Sequence, residues 1–144
     1  MKKIIIAVDL SDLAVQAINN ASTLALAFNS TIRLIHVIAP SPTYIGNEIG
    51  PAVLPENIDE NQDGITSDLE SMVDFLHQKN ITADFKVCKG PVIETILEET
   101  ESFQSDLLVM GAHNHGFLYR AFLGSICSGV VKRSKCPVLI IPGK

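Results

Sequence analysis

The chain has 144 residues, of which 47% are hydrophobic and 19% charged. These values fit one globular domain over residues 1–144 and exclude a disordered or fibrous chain. A net charge of −5 argues against DNA, RNA or anionic lipid as partners, and no apolar run reaches the roughly eighteen residues of a membrane span. We therefore expect a soluble, cytoplasmic domain.

Short apolar runs with the length of strands alternate with segments whose apolar residues recur at helical spacing. This alternation predicts an α/β domain, in which a parallel open sheet carries helices on both faces. Ser11 suits the N-cap of the first helix, and Pro91 the first position of the third. In chain order the predicted elements are a strand at 3–8, a helical stripe from Ala14 to Phe28, a strand at 31–37, a stripe from Ile65 to Leu76, a strand at 81–88, a stripe from Val92 to Phe103, a strand at 106–110, a short stripe from Ile126 to Val131 and a strand at 137–141.

The strand patterns differ in how much of each strand they predict to be covered. The run at 81–88 alternates apolar residues with a wetter set that includes Cys88, which predicts an edge strand. The runs at 3–8, 106–110 and 137–141 are apolar almost throughout, which is typical of strands covered on both faces.

Cysteine and histidine spacing gives little support for a metal site or a disulfide. Cys88, Cys127 and Cys136 are odd in number and form no CxxC pair, which suits buried thiols in a reducing compartment. His113 and His115 have a spacing seen in metal ligands, but no third ligand accompanies them. We predict no metal held by protein side chains.

In open parallel sheets, ligands bind beyond the carboxyl ends of the strands where the strand order reverses. The positions of interest are therefore Asp9, Val37 and the segment that begins at Gly111. The proline- and glycine-rich segment 38–60 is longer than most loops, and we expect it to be mobile. It either closes over this site or forms a surface excursion.

Several phosphate-handling and hydrolytic motifs are absent from these positions. The chain has no GxxxxGK[ST] loop, no GxGxxG after the first strand and no GxSxG elbow. A receiver domain would need an aspartate at the end of the third strand, where Cys88-Lys89-Gly90 stands. After the fourth strand, glycines and polar residues lead to Gly124-Ser125 at the start of the last helix. Backbone N–H groups and a helix N-terminus of this kind bind phosphate without lysine.

The whole chain outside 38–62 resembles a single-domain universal stress protein. The matching pieces are KKIIIAVDLS, LIHVI, Gly90-Pro91, DLLVMGAHNHG and LGSICSGVVKRSKCPVLIIP. The resemblance implies a Rossmann-like fold, similar to the adenine nucleotide alpha hydrolases, with five parallel strands in the order 3-2-1-4-5. It also implies a homodimer through the last strand, with Val138, Leu139, Ile140 and Ile141 at the interface.

Many members of that family bind ATP through a motif of three glycines followed by Ser or Thr. In this chain the first and third glycines match Gly111 and Gly124, and the final position matches Ser125. The second glycine is replaced by Asn114. Asparagine either replaces a glycine that needs positive φ, at about 1 kcal/mol, or blocks the phosphate with its side chain. Gly116 preserves flexibility nearby. By the same resemblance, the residues expected to bind ATP or another adenine nucleotide, with or without Mg²⁺, are Asp9, Val37, Met110, Gly111, Ala112, His113, Asn114, Gly116, Gly124, Ser125 and Ile126.

Two of these assignments have structural alternatives: Asp9 could instead cap the first helix, and Val37 could be plain core. For function, a nucleotide-binding stress-response or signalling dimer is favoured. The alternatives are a nucleotide-independent adaptor and a weak ATPase. Efficient catalysis is not expected, because no base or water-orienting group is evident near the phosphates. Protein partners stay unknown.

Overall fold

The computed structural model describes residues 1–40, 62–112 and 124–143. Within these ranges, strands and helices alternate as the sequence predicts. The elements are β1 (Lys3–Ala7), α1 (Asp12–Phe28), β2 (Thr31–Ile38), α2 (Gln62–Gln78), β3 (Ala83–Lys89), α3 (Val92–Ser102), β4 (Leu107–Ala112), α4 (Ser125–Arg133) and β5 (Val138–Pro142).

The five strands form one parallel sheet in the order β3-β2-β1-β4-β5. In this register Ala7 of β1 lies between Ile35 of β2 and Met110 of β4. Parallel neighbours require a crossover between them, and the helices supply it. The predicted α/β class and strand order are confirmed, and the order reverses between β1 and β4.

Two apolar cores lie on opposite faces of the sheet. β1 is buried on both faces: Ile4 and Ile6 point to the layer of α1 and α2, whereas Ile5 points to that of α3 and α4. Alternation along a strand sends successive side chains to opposite faces, so one continuous apolar run serves both cores. The predicted covering of the first strand is confirmed.

The helix ends follow local chemistry. Ser11 is the N-cap of α1, and its Oγ accepts a hydrogen bond from the Leu13 N–H at 3.3 Å. Asn29 ends the helix with φ 52°, in the left-handed region that asparagine tolerates. Pro91 lies one position earlier than predicted, at the N-cap of α3, where its carbonyl accepts a bond from the Thr95 N–H at 3.0 Å.

The two edge strands of the sheet are β3 and β5, and their sequence patterns predict different degrees of covering. β3 is the predicted edge strand, but Cys88, assigned to its wetter set, is buried. β5 is the other edge, as the predicted strand order requires; Val138, Leu139 and Ile140 are half-buried, with Leu139 packed against one core and Val138 and Ile140 against the other, so both faces are covered in part. As an edge strand, β5 pairs with β4 on one side and has no partner strand on the other among the described residues.

The segment predicted as a long loop, 38–60, lies outside the described residues from position 41 onward. In the described part of the chain, no helix is long and apolar enough to cross a membrane.

Candidate functional site

A cavity of about 490 Å³ opens at the carboxyl ends of β1, β2 and β4, beside the N-terminus of α4. Its volume is within the range of small-molecule sites, about 300–1,000 Å³. Its position is the one expected for a parallel sheet, where the connections from β1 and β4 leave on opposite faces. The lining residues are Ala7, Val8, Asp9, Ala14, Ile35, His36, Val37, Val92, Ile96, Met110, Gly111, Ala112, Gly124, Ser125, Ile126 and Cys127.

Most of the residues predicted to bind a nucleotide line this one cavity. Of the predicted set, His113, Asn114 and Gly116 lie outside the described residues. Those that the structure brings together come from three strand ends and the start of α4. They are Asp9, Val37, Met110, Gly111, Ala112, Gly124, Ser125 and Ile126.

Asp9 is exposed and organises the connection between β1 and α1. Its Oδ1 accepts hydrogen bonds from the Ser11 N–H at 3.1 Å and from the Ser11 hydroxyl at 2.6 Å. Ser11 in turn caps α1 through Leu13. Asp9 therefore does not cap α1 itself but holds Ser11, the residue that does. It also lines the cavity.

Val37 lies in the wall of the cavity and also packs against the core on the side of α3 and α4. Its side chain is half-buried, so it is neither a fully enclosed core residue nor a free surface one. Met110 on β4 is buried in the same core. Together they give this side of the cavity a largely apolar surface.

The two described glycines of the motif have different surroundings. A Cβ on Gly111 would lie 2.5 Å from Leu13 Cγ, so this glycine admits the first turn of α1 against β4. A Cβ on Gly124 would meet nothing within 4 Å. Gly124 is the N-cap of α4 and provides no side-chain cap, which leaves the helix N-terminus facing the cavity.

Sequence reasoning missed several lining residues, of which His36 and Cys127 carry polar chemistry. His36 Nδ1 lies 2.8 Å from the Val8 carbonyl oxygen, which can only accept, so Nδ1 carries the proton. The Cys127 thiol donates to the Gly111 carbonyl at 3.6 Å. Burial, and secondarily the Asp9 carboxylate, raise the pKa of this thiol. The position of Cys127 in the sequence, three residues after Gly124 and within the last predicted helix, could have indicated that it lines the site.

Val92 and Ile96 were also missed, and they extend the apolar wall from α3. The sequence predicts a helical stripe from Val92 but does not place it at the site, although Gly90-Pro91 directs this helix from the same sheet edge. Among the lining residues Asp9 is acidic, and none is lysine or arginine. Among the described residues, a bound anion would therefore depend on backbone N–H groups and hydroxyls. Across the described ranges, no group of three or more His, Cys, Asp or Glu could hold a metal ion.

Sequence relatives match the chain along nearly its whole length. Universal stress protein A homolog 1 of Coxiella burnetii is 28% identical over 141 residues, which cover 97% of this chain and 95% of the relative. A universal stress protein of Methanocaldococcus jannaschii is 28% identical over 142 residues, covering 97% of this chain and 81% of the relative.

Solved structures share the fold. UspA of Lactobacillus plantarum superposes with a TM-score of 0.79 at 24% identity, covering 97% of each chain. A universal stress protein in complex with cAMP gives 0.71 at 22% identity, covering 98% of this chain and 96% of the other. The Archaeoglobus fulgidus protein in complex with dAMP gives 0.71 at 17% identity, covering 98% of each.

The model of the universal stress protein family matches residues 1–142. This range includes every described element, from β1 to the end of β5. The chain therefore belongs to the universal stress protein family.

Proposed function

We propose that the chain binds an adenine nucleotide in the cavity at the strand ends. The observation that carries the proposal is the composition of this one cavity. It joins a largely apolar wall to the open N-terminus of α4. A nucleotide has the same two parts, a flat base and an anionic phosphate. The cAMP and dAMP complexes of proteins with this fold support the assignment.

The charge distribution orients the ligand in this proposal. The Asp9 carboxylate would repel a phosphate but accepts hydrogen bonds from ribose hydroxyls or a base amino group. The phosphate therefore lies toward Gly124 and Ser125, where first-turn N–H groups of α4 lack partners within the helix and carry partial positive charge. The base then occupies the wall near Val37 and Met110. His113, Asn114 and Gly116 keep their predicted place near the phosphates.

Magnesium would enter as part of the nucleotide. Ser125 offers a hydroxyl at the phosphate end, and the one carboxylate among the described lining residues, Asp9, is assigned here to the ribose and base end. When bound, Mg²⁺ would neutralise phosphate charge while phosphate oxygens and waters complete its coordination. The protein's own contribution is then to bind and orient the nucleotide. This favours a binding module over an ATPase, since no described residue is placed as a base at the phosphates.

At the cellular level we propose a cytoplasmic stress-response or signalling module that acts as a homodimer. The dimer would form through β5, with Val138, Leu139, Ile140 and Ile141 at the interface. Its apolar edge supports this assembly.

The test uses the open space at Gly124. Titration calorimetry of the purified protein with ATP, AMP and cAMP is expected to show binding, and Gly124→Val is expected to abolish it. A Cβ at this position would meet no described atom within 4 Å, so the variant should fold, with its melting temperature lowered only by the weaker N-cap propensity of valine. Its β-branched side chain would occupy the space proposed for the phosphate. Gly124→Ala should give an intermediate affinity.

Asp9→Asn should also weaken binding, whereas Asp12→Asn is its matched control. Asp12 is an exposed carboxylate three residues away that does not line the cavity. Asn114→Gly should tighten binding if its side chain crowds the phosphate. Absence of heat with all three nucleotides, from a folded protein that releases no nucleotide on denaturation, would contradict the proposal and favour the nucleotide-independent adaptor.

A further inference from the structure

A second cavity, of about 420 Å³, forms a groove between α1 and α2 and shares no lining residue with the first. Its apolar surface comes from Leu10, Val15, Ile18, Met72 and Phe75. Ile18 is buried and forms the base, whereas Val15 is 53% exposed and Phe75 37% exposed. Large apolar side chains at this exposure that line a continuous groove indicate an interaction surface more strongly than scattered ones do.

The rim and surroundings of this groove are acidic. Asp12 lies on the rim from α1, and Asp68 lies on it from α2. Neither helix contains a lysine or an arginine. Among the residues that the structure describes, no ion pair joins the carboxylates of the two helices to a cation. These carboxylates are Asp12, Asp63, Asp68, Glu70 and Asp74.

The opposite layer of the molecule has a different charge pattern. There Glu94 pairs with Arg133 at 2.8 Å and Glu101 with Lys135 at 3.0 Å. Lys79, just after α2, brings a cation to the groove, since its Nζ lies 4.4 Å from the centre of the Phe75 ring. The carboxylates on the groove side are therefore not balanced by lysine or arginine within α1 and α2.

We propose that this groove docks a cationic amphipathic helix of a partner protein. Apolar side chains of the partner at i, i+3 and i+4 would enter between Val15 and Phe75, and its lysines or arginines would face Asp12 and Asp68. A second copy of this chain would bring like charges together, and an anionic membrane would be repelled. A helical occupant fits because the groove lies between two helices and offers no open strand edge for β-pairing.

The probe is a synthetic peptide of leucine and lysine, roughly 14 residues long, with leucines at helical spacing. Its counterpart has glutamate in place of lysine. Fluorescence anisotropy at moderate salt should show binding of the lysine peptide and none of the glutamate peptide. Val15→Ser, and separately Asp12→Asn combined with Asp68→Asn, should each weaken binding roughly tenfold.

Matched controls distinguish binding in the groove from non-specific electrostatic or apolar binding elsewhere on the surface. Leu26→Ser alters an apolar residue of α1 that is 57% exposed but lies outside the groove. Glu70→Gln combined with Asp74→Asn removes the same charge from α2 outside its lining. Each control should change affinity less than about twofold. Gly124→Val should leave peptide binding intact, so that failure of nucleotide binding and failure of this proposal are distinguishable.

Three outcomes would overturn the proposal. The first is equal loss of affinity in the groove variants and their controls. The second is self-association that Val15→Ser abolishes, which would identify a second copy as the occupant. The third is peptide binding only after residues 41–61 are replaced by a Gly-Ser linker, which would assign the groove to this chain's own segment.

Discussion

Glycines that a motif treats as equivalent have different physical roles in this molecule. Gly111 lacks a side chain because Leu13 occupies that space, whereas Gly124 borders open space at the cavity. Gly90 has φ +149°, and a Cβ there would lie 2.8 Å from Thr95 Oγ1, so both backbone conformation and contact require glycine. At the residue scale, the motif therefore combines helix packing with ligand access.

Gly111→Ala is expected to lower the free energy of unfolding by about 1–3 kcal/mol, because its methyl group would overlap Leu13. In a double-mutant cycle with Leu13→Ala, the combined loss should be smaller than the sum, since the alanine at position 111 fills the space vacated at Leu13. Urea denaturation gives the free energy of unfolding of the wild type, the two single variants and the double variant. Gly124→Ala is the control without a packing clash and should cost less, about 0.5–1 kcal/mol, from the weaker N-cap propensity of alanine. Additive losses would contradict the packing role.

Asp106 provides a pH-dependent link between the starts of β4 and β1. Its carboxylate accepts hydrogen bonds from the backbone N–H groups of Lys2 at 2.6 Å and Lys3 at 2.9 Å, and these hold the pKa of Asp106 below its usual value. The stabilisation is therefore present above the unfolded-state pKa of about 3.9 and is lost as pH falls through the lower folded-state pKa.

Asp106→Asn should consequently be less stable than wild type at pH 7, and the difference should narrow at about pH 3. Urea denaturation at several pH values provides the measurement. Asp74→Asn, which changes an exposed carboxylate of α2 without such N–H partners among the described residues, is the matched control and should change stability little at pH 7. A constant deficit for Asp106→Asn would indicate a role independent of its ionisation.

At the scale of elements, the two edge strands differ in how they are protected. β3 carries Asp84 and Lys86, whose ion pairs with Arg33 and Glu99 place charges along its edge. β5 carries only apolar residues from Val138 to Pro142. Charged side chains discourage edge-to-edge pairing, and an apolar edge permits it. This contrast makes β5 the edge at which the proposed dimer should form.

Ile140→Lys is expected to shift the protein from dimer to monomer, because it would place a charge in the proposed β5 interface. Sedimentation velocity at micromolar concentration gives the oligomeric state, and circular dichroism verifies that the variant is folded. Val131→Lys is the control, since Val131 on α4 is 43% exposed and lies outside the β5 strand. A wild-type monomer, or an unchanged dimer in the folded Ile140→Lys variant, would contradict the assignment.

At the scale of the whole molecule, the sheet joins two cores that share β1. Ile5 and Ile6 are neighbours in sequence and fully buried, but they pack on opposite faces. One strand thus contributes to both layers, and neither layer can form its core without it. The described parts of the chain should therefore unfold as a single cooperative unit.

Ile5→Ala and Ile6→Ala should each cost about 2–5 kcal/mol of stability. Hydrogen exchange is the discriminating measurement, because the most protected amides of α2 and of α3 should lose protection equally in either variant. Leu26→Ala, at an exposed position of α1, serves as control and should change little. Loss confined to the face on which the substituted side chain packs would show two independent units.

Much of the fold was predictable because local periodicity reports burial. The run at 3–8 predicted a strand covered on both faces, and Ser11 predicted the start of α1. The run at 137–141 predicted a strand covered on both faces, and β5 does pack against both cores, but its position at the sheet edge leaves its side chains only half-buried. Cys88 misled because alternation placed it on the wetter face, whereas it is buried, with Glu99 of α3 beside its thiol.

The sequence by itself determined the fold class, the family and the strand ends at which a ligand site should form, because these follow from local pattern and motif. Only the tertiary structure decided that Val92, Ile96 and Cys127 join that site, that Gly111 is required by Leu13, and that α1 and α2 enclose an acidic groove. Each of these depends on contacts between segments far apart in the chain. Composition could report a net charge of −5, but only the packing of the helices shows where the unbalanced charge lies.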